Sequence, residues 1–115
     1  MIALDPRAAA RAAVSTNPAR PATAIVHDSP DARLVVFRLA PGQAVAPHRN
    51  ASSVQLEVLE GDGVLSGEAA DGSAADRACT AGDVVVYAPN ELHAMRAGDR
   101  ELLLLAPITP RPGTR

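Results

Sequence analysis

Short apolar segments alternate with turn-forming clusters along most of the chain. Glycine, proline, asparagine and aspartate separate these segments, which are rich in valine and leucine. Many short strands punctuated in this way are typical of an all-β sandwich or barrel. No segment with helical spacing lies between them, which argues against βαβ units. The segments predicted as strands are TAIVHD, RLVVFRLA, SVQLEVLEG, GVLSGEA, DVVVYAP, HAMRA and ELLLLAP.

The N-terminal residues follow a different pattern, which predicts a short helix. Asp5 suits the N-cap, Pro6 suits the first helical position, and the alanines after them favour helix. Two prolines interrupt any pattern between residues 15 and 23, so this stretch is predicted to be a linker. The predicted organisation is therefore a helical arm and linker (1–23), an antiparallel barrel (24–107) and a C-terminal tail (108–115).

Composition limits the kind of core and the kind of partner. The chain has 115 residues, enough for one domain with one core. Hydrophobic residues make up 47% but aromatic residues only 2%, so the core must be aliphatic. Few aromatic rings and no basic run argue against nucleic-acid binding. All 11 cationic residues are arginine, which excludes Schiff-base chemistry on lysine.

Cysteine content and hydropathy indicate in which cellular compartment the protein is expected. Cys79 is the single cysteine, which excludes a disulfide within the chain and a thiolate metal cluster. Its two alternatives are a small apolar strand residue and a reactive thiol. No apolar run approaches the ~18 residues of a membrane span, and no signal-peptide core is evident. We therefore expect a cytoplasmic protein without a membrane partner.

Two spacings of glycine and histidine resemble the signatures of the cupin family, small β-barrels of the jelly-roll type. The first signature runs from Gly to His-x-His, then to Glu and a closing Gly. Here Gly42 is followed after five residues by His48, and Asn50 stands where the second His belongs. Val54 occupies the position of the Glu, and Gly61 closes the pattern. The glycines and one histidine of this signature are therefore present, and two of the four metal ligands usual in the family are absent.

The second signature runs from Gly through a strand to Pro-x-Gly and then to His. Gly82 and Asp83 open the strand here, and Pro89 and His93 follow it. Glu91 lies near the usual Gly, and the gap from Pro to His is one residue short. The resemblance implies an antiparallel jelly-roll barrel in which His48 and His93 converge.

Strand alternation suggests which side chains face the barrel interior. Val54, Leu56 and Val58 fall on one face, with Gln55 on the other. His48 and Asn50 point the same way if both lie on one strand. A bulge between residues 50 and 54 would exchange the two faces. The predicted ligand-binding residues are His48, Asn50, Val54, Leu56 and His93.

The two histidines have two alternative roles. They could ligate one divalent transition metal, Zn, Fe, Mn or Ni, with Asn50, Gln55 after a register shift, or solvent as the third ligand. Alternatively they are metal-free pocket residues that form hydrogen bonds. Sequence alone leaves both alternatives open, and it assigns no catalytic residue.

Several other polar residues are candidates near the predicted barrel mouth. Glu91 either orients His93, accepts a proton or is an exposed loop charge. Arg38, Arg49 and Arg96 flank the predicted mouth in sequence, and one of them could pair with an acidic ligand. Tyr87, the only tyrosine, is expected in the core or at the rim with its hydroxyl in water.

Three functions are consistent with these residues. The first is a small cupin-like protein that binds a small polar molecule in its barrel, with a metal optional. The alternative is a metal-dependent enzyme of the dioxygenase, isomerase or decarboxylase type that uses His48 and His93. The third is an interaction module, and we expect a homodimer, because pairing would protect exposed strand edges.

Overall fold

This computed structural model describes residues 1–113 of the chain. These residues contain one helix and nine strands. The last two residues of the predicted tail lie outside the described residues. In chain order the elements are α1 (Pro6–Ala12), β1 (Ala22–Asp28), β2 (Arg33–Leu39), β3 (Ala44–His48), β4 (Ser53–Glu60), β5 (Asp62–Glu68), β6 (Ala74–Thr80), β7 (Val84–Tyr87), β8 (His93–Ala97) and β9 (Leu102–Thr109).

The strands form two antiparallel sheets that face each other. A five-stranded sheet has the order β1-β2-β9-β4-β7, and a four-stranded sheet has the order β3-β8-β5-β6. Every strand pairing is antiparallel. The predicted all-β jelly-roll barrel with a short N-terminal helix is confirmed. Its strands run from residue 22 to residue 109, two residues beyond the predicted barrel range at each end.

The N-terminal helix begins where the sequence predicts. The Asp5 carboxylate accepts a hydrogen bond from the Ala8 N–H (3.1 Å), and Pro6 occupies the first turn. Ala10 is fully buried against the outer face of the five-stranded sheet. Arg11 forms an ion pair with Glu60 at the end of β4. The helix therefore covers part of one sheet and extends the core beyond the barrel interior.

An aliphatic core fills the space between the two sheets. Val54, Leu56 and Val58 on β4 are buried in it, whereas Gln55 is exposed on the opposite face, as alternation predicts. Cys79 is also buried in this core, which supports its interpretation as a small apolar strand residue.

Two strands, β3 and β6, have no counterpart in the sequence prediction. Both lie at edges of the four-stranded sheet, and most of their residues are exposed. Their sequences, AVAPH and AADRACT, lack a sustained alternation of apolar and polar residues. They become strands because β8 and β5 supply hydrogen-bonding edges for them.

No helix within residues 1–113 is long and apolar enough to cross a lipid bilayer.

Candidate functional site

His48 and His93 are cross-strand partners at one end of the four-stranded sheet. His48 ends β3, His93 begins β8, and the two residues are opposite each other in the register of these strands. Their ring centroids are 4.1 Å apart, and the ring planes meet at 61°. His93 is only 4% exposed, whereas His48 is exposed. One imidazole therefore belongs to the interior and the other faces solvent at the mouth.

Each histidine is oriented by a backbone carbonyl two residues before it. His48 Nδ1 lies 2.9 Å from the Ala46 carbonyl oxygen, and His93 Nδ1 lies 3.1 Å from the Glu91 carbonyl oxygen. A carbonyl oxygen can only accept, so each Nδ1 must carry a proton. In the neutral ring the lone pair is then on Nε2. Both histidines can therefore accept a hydrogen bond or bind a metal through Nε2.

Tyr87 packs against the buried histidine. Its ring centroid is 4.9 Å from that of His93, and its hydroxyl donates to the Ser66 carbonyl oxygen (2.9 Å). The expectation of a water-exposed hydroxyl is therefore wrong, because β5 supplies an acceptor inside the barrel. Burial, reinforced by the Glu91 charge, raises the pKa of Tyr87 to about 12. The phenol stays protonated at neutral pH.

Burial also sets the charge of His93. Loss of contact with water disfavours the imidazolium and lowers the pKa of His93 below its ordinary value of 6.5. The neighbouring His48 ring contributes to the lowering, while the hydrogen bond to the Glu91 carbonyl opposes it. His93 is consequently neutral at pH 7.

Glu91 holds the loop that precedes His93. One carboxylate oxygen accepts from the Ala88 N–H (3.1 Å), and the other accepts from the Glu68 N–H (3.2 Å). Its own carbonyl orients His93. Of the alternatives predicted for Glu91, the contacts favour an orienting residue.

Arg49 and Glu68 complete a network that we call the mouth clasp, defined as Arg49, Glu68 and Glu91. Arg49 donates to the Asn90 carbonyl oxygen (2.6 Å) and forms an ion pair with Glu68 (3.0 Å). The Glu68 carboxylate in turn accepts from the Leu92 N–H (3.3 Å). The clasp joins the β3–β4 loop, the end of β5 and the β7–β8 loop. Sequence reasoning did not single out Glu68, because nothing near it in the chain relates it to the histidines.

The other predicted ligand-binding residues do not place polar groups around the histidine pair. They are Asn50, Val54 and Leu56. Asn50 follows the end of β3, and its amide oxygen accepts from the Ser52 N–H (2.9 Å). The argument that places Asn50 on the same strand face as His48 therefore does not apply. Val54 pairs with Tyr87 across β4 and β7, and Leu56 lies further along β4 in the apolar core.

Of the three arginines predicted at the mouth, the structure places Arg49 there. Arg38 instead lies on β2 and forms an ion pair with Glu101, which directly precedes β9, at the end of the barrel remote from the histidines (2.9 Å). Arg96 is exposed on β8. The prediction for Arg38 is wrong because β2 runs so that its last residues point away from the histidine end.

A cavity of about 190 Å³ borders His93. Ser66 and Asp76, which line it with Leu92 and Gly67, are paired on the face of β5 and β6 opposite the buried Leu65, so this cavity lies on the outer side of the four-stranded sheet. A side chain at position 67 would bring its Cβ within 2.9 Å of Tyr87 Cε1 and 3.1 Å of a Glu91 carboxylate oxygen. Glycine therefore allows β5 to pass close to the residues that hold His93.

The side chains at this site supply only part of the set of metal ligands that is usual in the cupin family. The orientation of both imidazoles by backbone carbonyls matches what ligating histidines require. However, no three His, Cys, Asp or Glu side chains within residues 1–113 form a group that could hold a metal. The Asn50 amide oxygen is engaged by Ser52, and Gln55 faces outward. These residues do not form the three-ligand shell of a catalytic zinc site.

Comparison with known proteins identifies the fold. No protein family and no curated protein matches the sequence. An uncharacterised double-stranded β-helix protein from Klebsiella pneumoniae aligns with a TM-score of 0.77 and 19% identity, over 89% of this chain and 87% of that one. An RmlC-like cupin protein from Desulfovibrio desulfuricans aligns with a TM-score of 0.70 and 26% identity, over 86% and 91%. An oxalate oxidase aligns with a TM-score of 0.74 and 16% identity, over 85% of this chain and 55% of the oxidase.

The chain therefore has the cupin fold, the double-stranded β-helix. This confirms, for the fold, the resemblance to small single-domain cupins that the spacing of Gly42, His48, Gly82 and His93 predicts.

Proposed function

We propose that this chain binds a small polar molecule at the barrel mouth, through His48 and His93. The observation that supports the proposal is the pair of imidazoles 4.1 Å apart, each with Nδ1 bonded to a backbone carbonyl. Two acceptor nitrogens side by side recognise a molecule that carries hydrogen-bond donors. Hydroxyl groups are the simplest such donors, so we expect a hydroxylated ligand.

The surroundings of the pair support a ligand with few atoms. A cavity of about 170 Å³ is lined by Tyr87 and Glu91, two residues that contact His93, and it is smaller than the ~300–1,000 Å³ of drug-sized sites. Leu65 and Val85 give this cavity apolar walls, and Tyr87 and Glu91 add polar groups. A few convergent polar groups in a largely apolar cavity are typical of ligand sites.

Titration of labelled protein with glycerol and erythritol tests this proposal. We expect saturable changes in the NMR signals of His48, His93 and Leu92. His48→Ala should abolish them, because half of the acceptor pair is lost. His27→Ala is the matched control, because His27 lies on β1 in the other sheet. Changes that do not saturate for either probe, or that persist in His48→Ala, would contradict the proposal.

A metal-dependent enzyme of the dioxygenase, isomerase or decarboxylase type is the second candidate. The carbonyl-oriented histidines favour it, since ligating histidines usually have their second nitrogen fixed in this way. His48 and His93 would be the protein ligands of Zn, Fe, Mn or Ni, and solvent would complete the shell. Near-stoichiometric metal in the purified protein, lost in His48→Ala but retained in His27→Ala, would support this candidate. Trace metal of equal amount in all three proteins would oppose it.

We also propose a homodimer formed through β7. Three of the four sheet edges carry a feature that discourages pairing: β1 has a bulge, β3 contains Pro47, and β6 contains Asp76 and Arg77. The fourth edge, β7, has the sequence VVVY, with Val84 54% and Val86 61% exposed. An uncharged, apolar edge of this kind favours antiparallel pairing with the same strand of a second copy.

A further inference from the structure

A crevice separates the N-terminal linker from the barrel, at the end remote from the histidines. It has a volume of about 330 Å³, compared with about 190 Å³ for the cavity beside His93. Residues 13–22 form one wall, and the ends of β2 and β9 with the β2–β3 turn form the other. Gln43 lines the crevice just before β3, whereas His48 ends that strand, about 15 Å away along an extended chain. The two cavities are therefore separate.

The walls of this linker crevice are held in place by hydrogen bonds. The Gln43 amide donates to the Pro18 carbonyl oxygen (2.9 Å) and accepts from the Ala40 N–H (2.8 Å). The Asn17 side chain accepts from the Ala19 N–H (3.0 Å), so the linker forms a turn. A ligand would find the crevice already shaped, and binding would cost little ordering entropy.

The charges lining the crevice are unbalanced. Arg38 is partly neutralised, because its guanidinium donates to the Glu101 carboxylate (2.9 Å) and to the Arg11 carbonyl oxygen (2.6 Å). Arg20 also lines the crevice, but its guanidinium has no hydrogen bond or ion pair with residues 1–113. Two guanidinium groups and one carboxylate leave one net positive charge. A planar guanidinium without a partner matches carboxylate and phosphate groups, which it can bind through two hydrogen bonds.

The apolar residues that line the crevice limit what the ligand can carry besides its acidic group. Ala13 and Ala22 form an apolar floor, and Val14, which is exposed, stands at the rim. Covering Val14 with an apolar group would remove its side chain from water. We propose that the linker crevice is a second binding site, which takes a small organic anion with its acidic group on Arg20 and a short apolar body against Val14. This site does not depend on the function proposed for the histidines.

Two-dimensional NMR titration with isobutyrate and with inorganic phosphate tests this inference. Isobutyrate carries both an acid and an apolar body, and phosphate carries the charge alone. We expect saturable shifts of the backbone signals from residues 15–20 and 42–43, with isobutyrate binding more tightly than phosphate. Arg20→Gln should weaken the binding of isobutyrate about tenfold, as loss of a charge-assisted hydrogen bond implies.

Arg100→Gln is the matched control, because Arg100 is an exposed arginine that pairs with Asp62 and does not line the crevice. It should leave the dissociation constant for isobutyrate unchanged. An unaltered spectrum outside the linker would show that Arg20→Gln remains folded. Shifts that are linear in isobutyrate concentration, equal losses in both variants, or shifts centred on His48 would overturn the inference. The glycerol and erythritol titrations report on the histidine site, so the two sites can fail independently.

Discussion

Glu68 and Glu91 each accept a hydrogen bond from the backbone beside the other. Glu91 accepts from the Glu68 N–H (3.2 Å), and Glu68 accepts from the Leu92 N–H (3.3 Å). The end of β5 and the β7–β8 loop are thereby joined twice, immediately before His93. Because the Glu91 carbonyl also orients the His93 ring, this reciprocal pair fixes the position of the buried imidazole.

Removal of the Glu91 carboxylate should destabilise the fold. Glu91→Ala leaves the Ala88 and Glu68 N–H groups without their acceptor, so we expect the free energy of unfolding to fall by about 1–3 kcal/mol. Urea denaturation measures the change. Glu57→Ala is the control, because the Glu57 carboxylate has no hydrogen bond or ion pair with residues 1–113, and its effect should stay within about 0.5 kcal/mol. Equal losses in the two variants would mean that Glu91 does not hold the loop.

Gly67→Ala should disturb the packing around His93. The new Cβ would lie 2.9 Å from Tyr87 Cε1, in a ring that is buried and held by the hydrogen bond from its hydroxyl to the Ser66 carbonyl oxygen. We expect a loss of about 1–3 kcal/mol in the free energy of unfolding, typical of overpacking. Gly98→Ala is the matched control, since its nearest contact would be an ordinary 3.4 Å. Wild-type stability in Gly67→Ala would show that β5 can move away from Tyr87.

Stability should decline as the pH falls below about 6.5, the value for His93 in an unfolded chain. The folded pKa is lowered by burial, so between the folded and unfolded values the unfolded chain binds more protons. The contribution of His93 to stability is complete above the unfolded pKa and is lost as the pH falls through the folded pKa. Urea denaturation between about pH 8 and about pH 5 measures this slope. His93→Gln should flatten the slope, whereas an unchanged slope in this variant would assign the effect to other groups.

The proposed dimer can be tested at β7. Val86→Lys places a charge on an apolar edge and should convert the dimer to a monomer, measured by size-exclusion chromatography with light scattering. Ile25→Lys is the matched control, because Ile25 is 56% exposed on β1 at the other edge of the same sheet. A monomeric wild-type protein would refute the dimer, and dissociation by Ile25→Lys alone would place the interface on β1.

The local pattern of residue types along the chain was sufficient to predict much of the fold. Asp5 and Pro6 begin the helix as predicted, and the alternation of Val54, Gln55 and Leu56 identifies the buried face of β4. The edge strands β3 and β6 were not predictable, because their sequences form strands only beside a neighbour. The structure likewise shows that Asn50 lies beyond the end of β3, where strand alternation no longer orients its side chain.

Sequence by itself determined the strand-rich class, the helix start and the two histidines that resemble a cupin pair, since these depend on spacing along the chain. Only the tertiary structure decided that the Glu68 N–H donates to the Glu91 carboxylate and that the Tyr87 hydroxyl donates to the Ser66 carbonyl oxygen. It also decided that Arg38 pairs with Glu101, away from the mouth. Each of these contacts joins residues brought together by sheet pairing or by the facing of the two sheets. Their free energy depends on burial and on hydrogen-bond geometry, and neither is encoded in any short stretch of sequence.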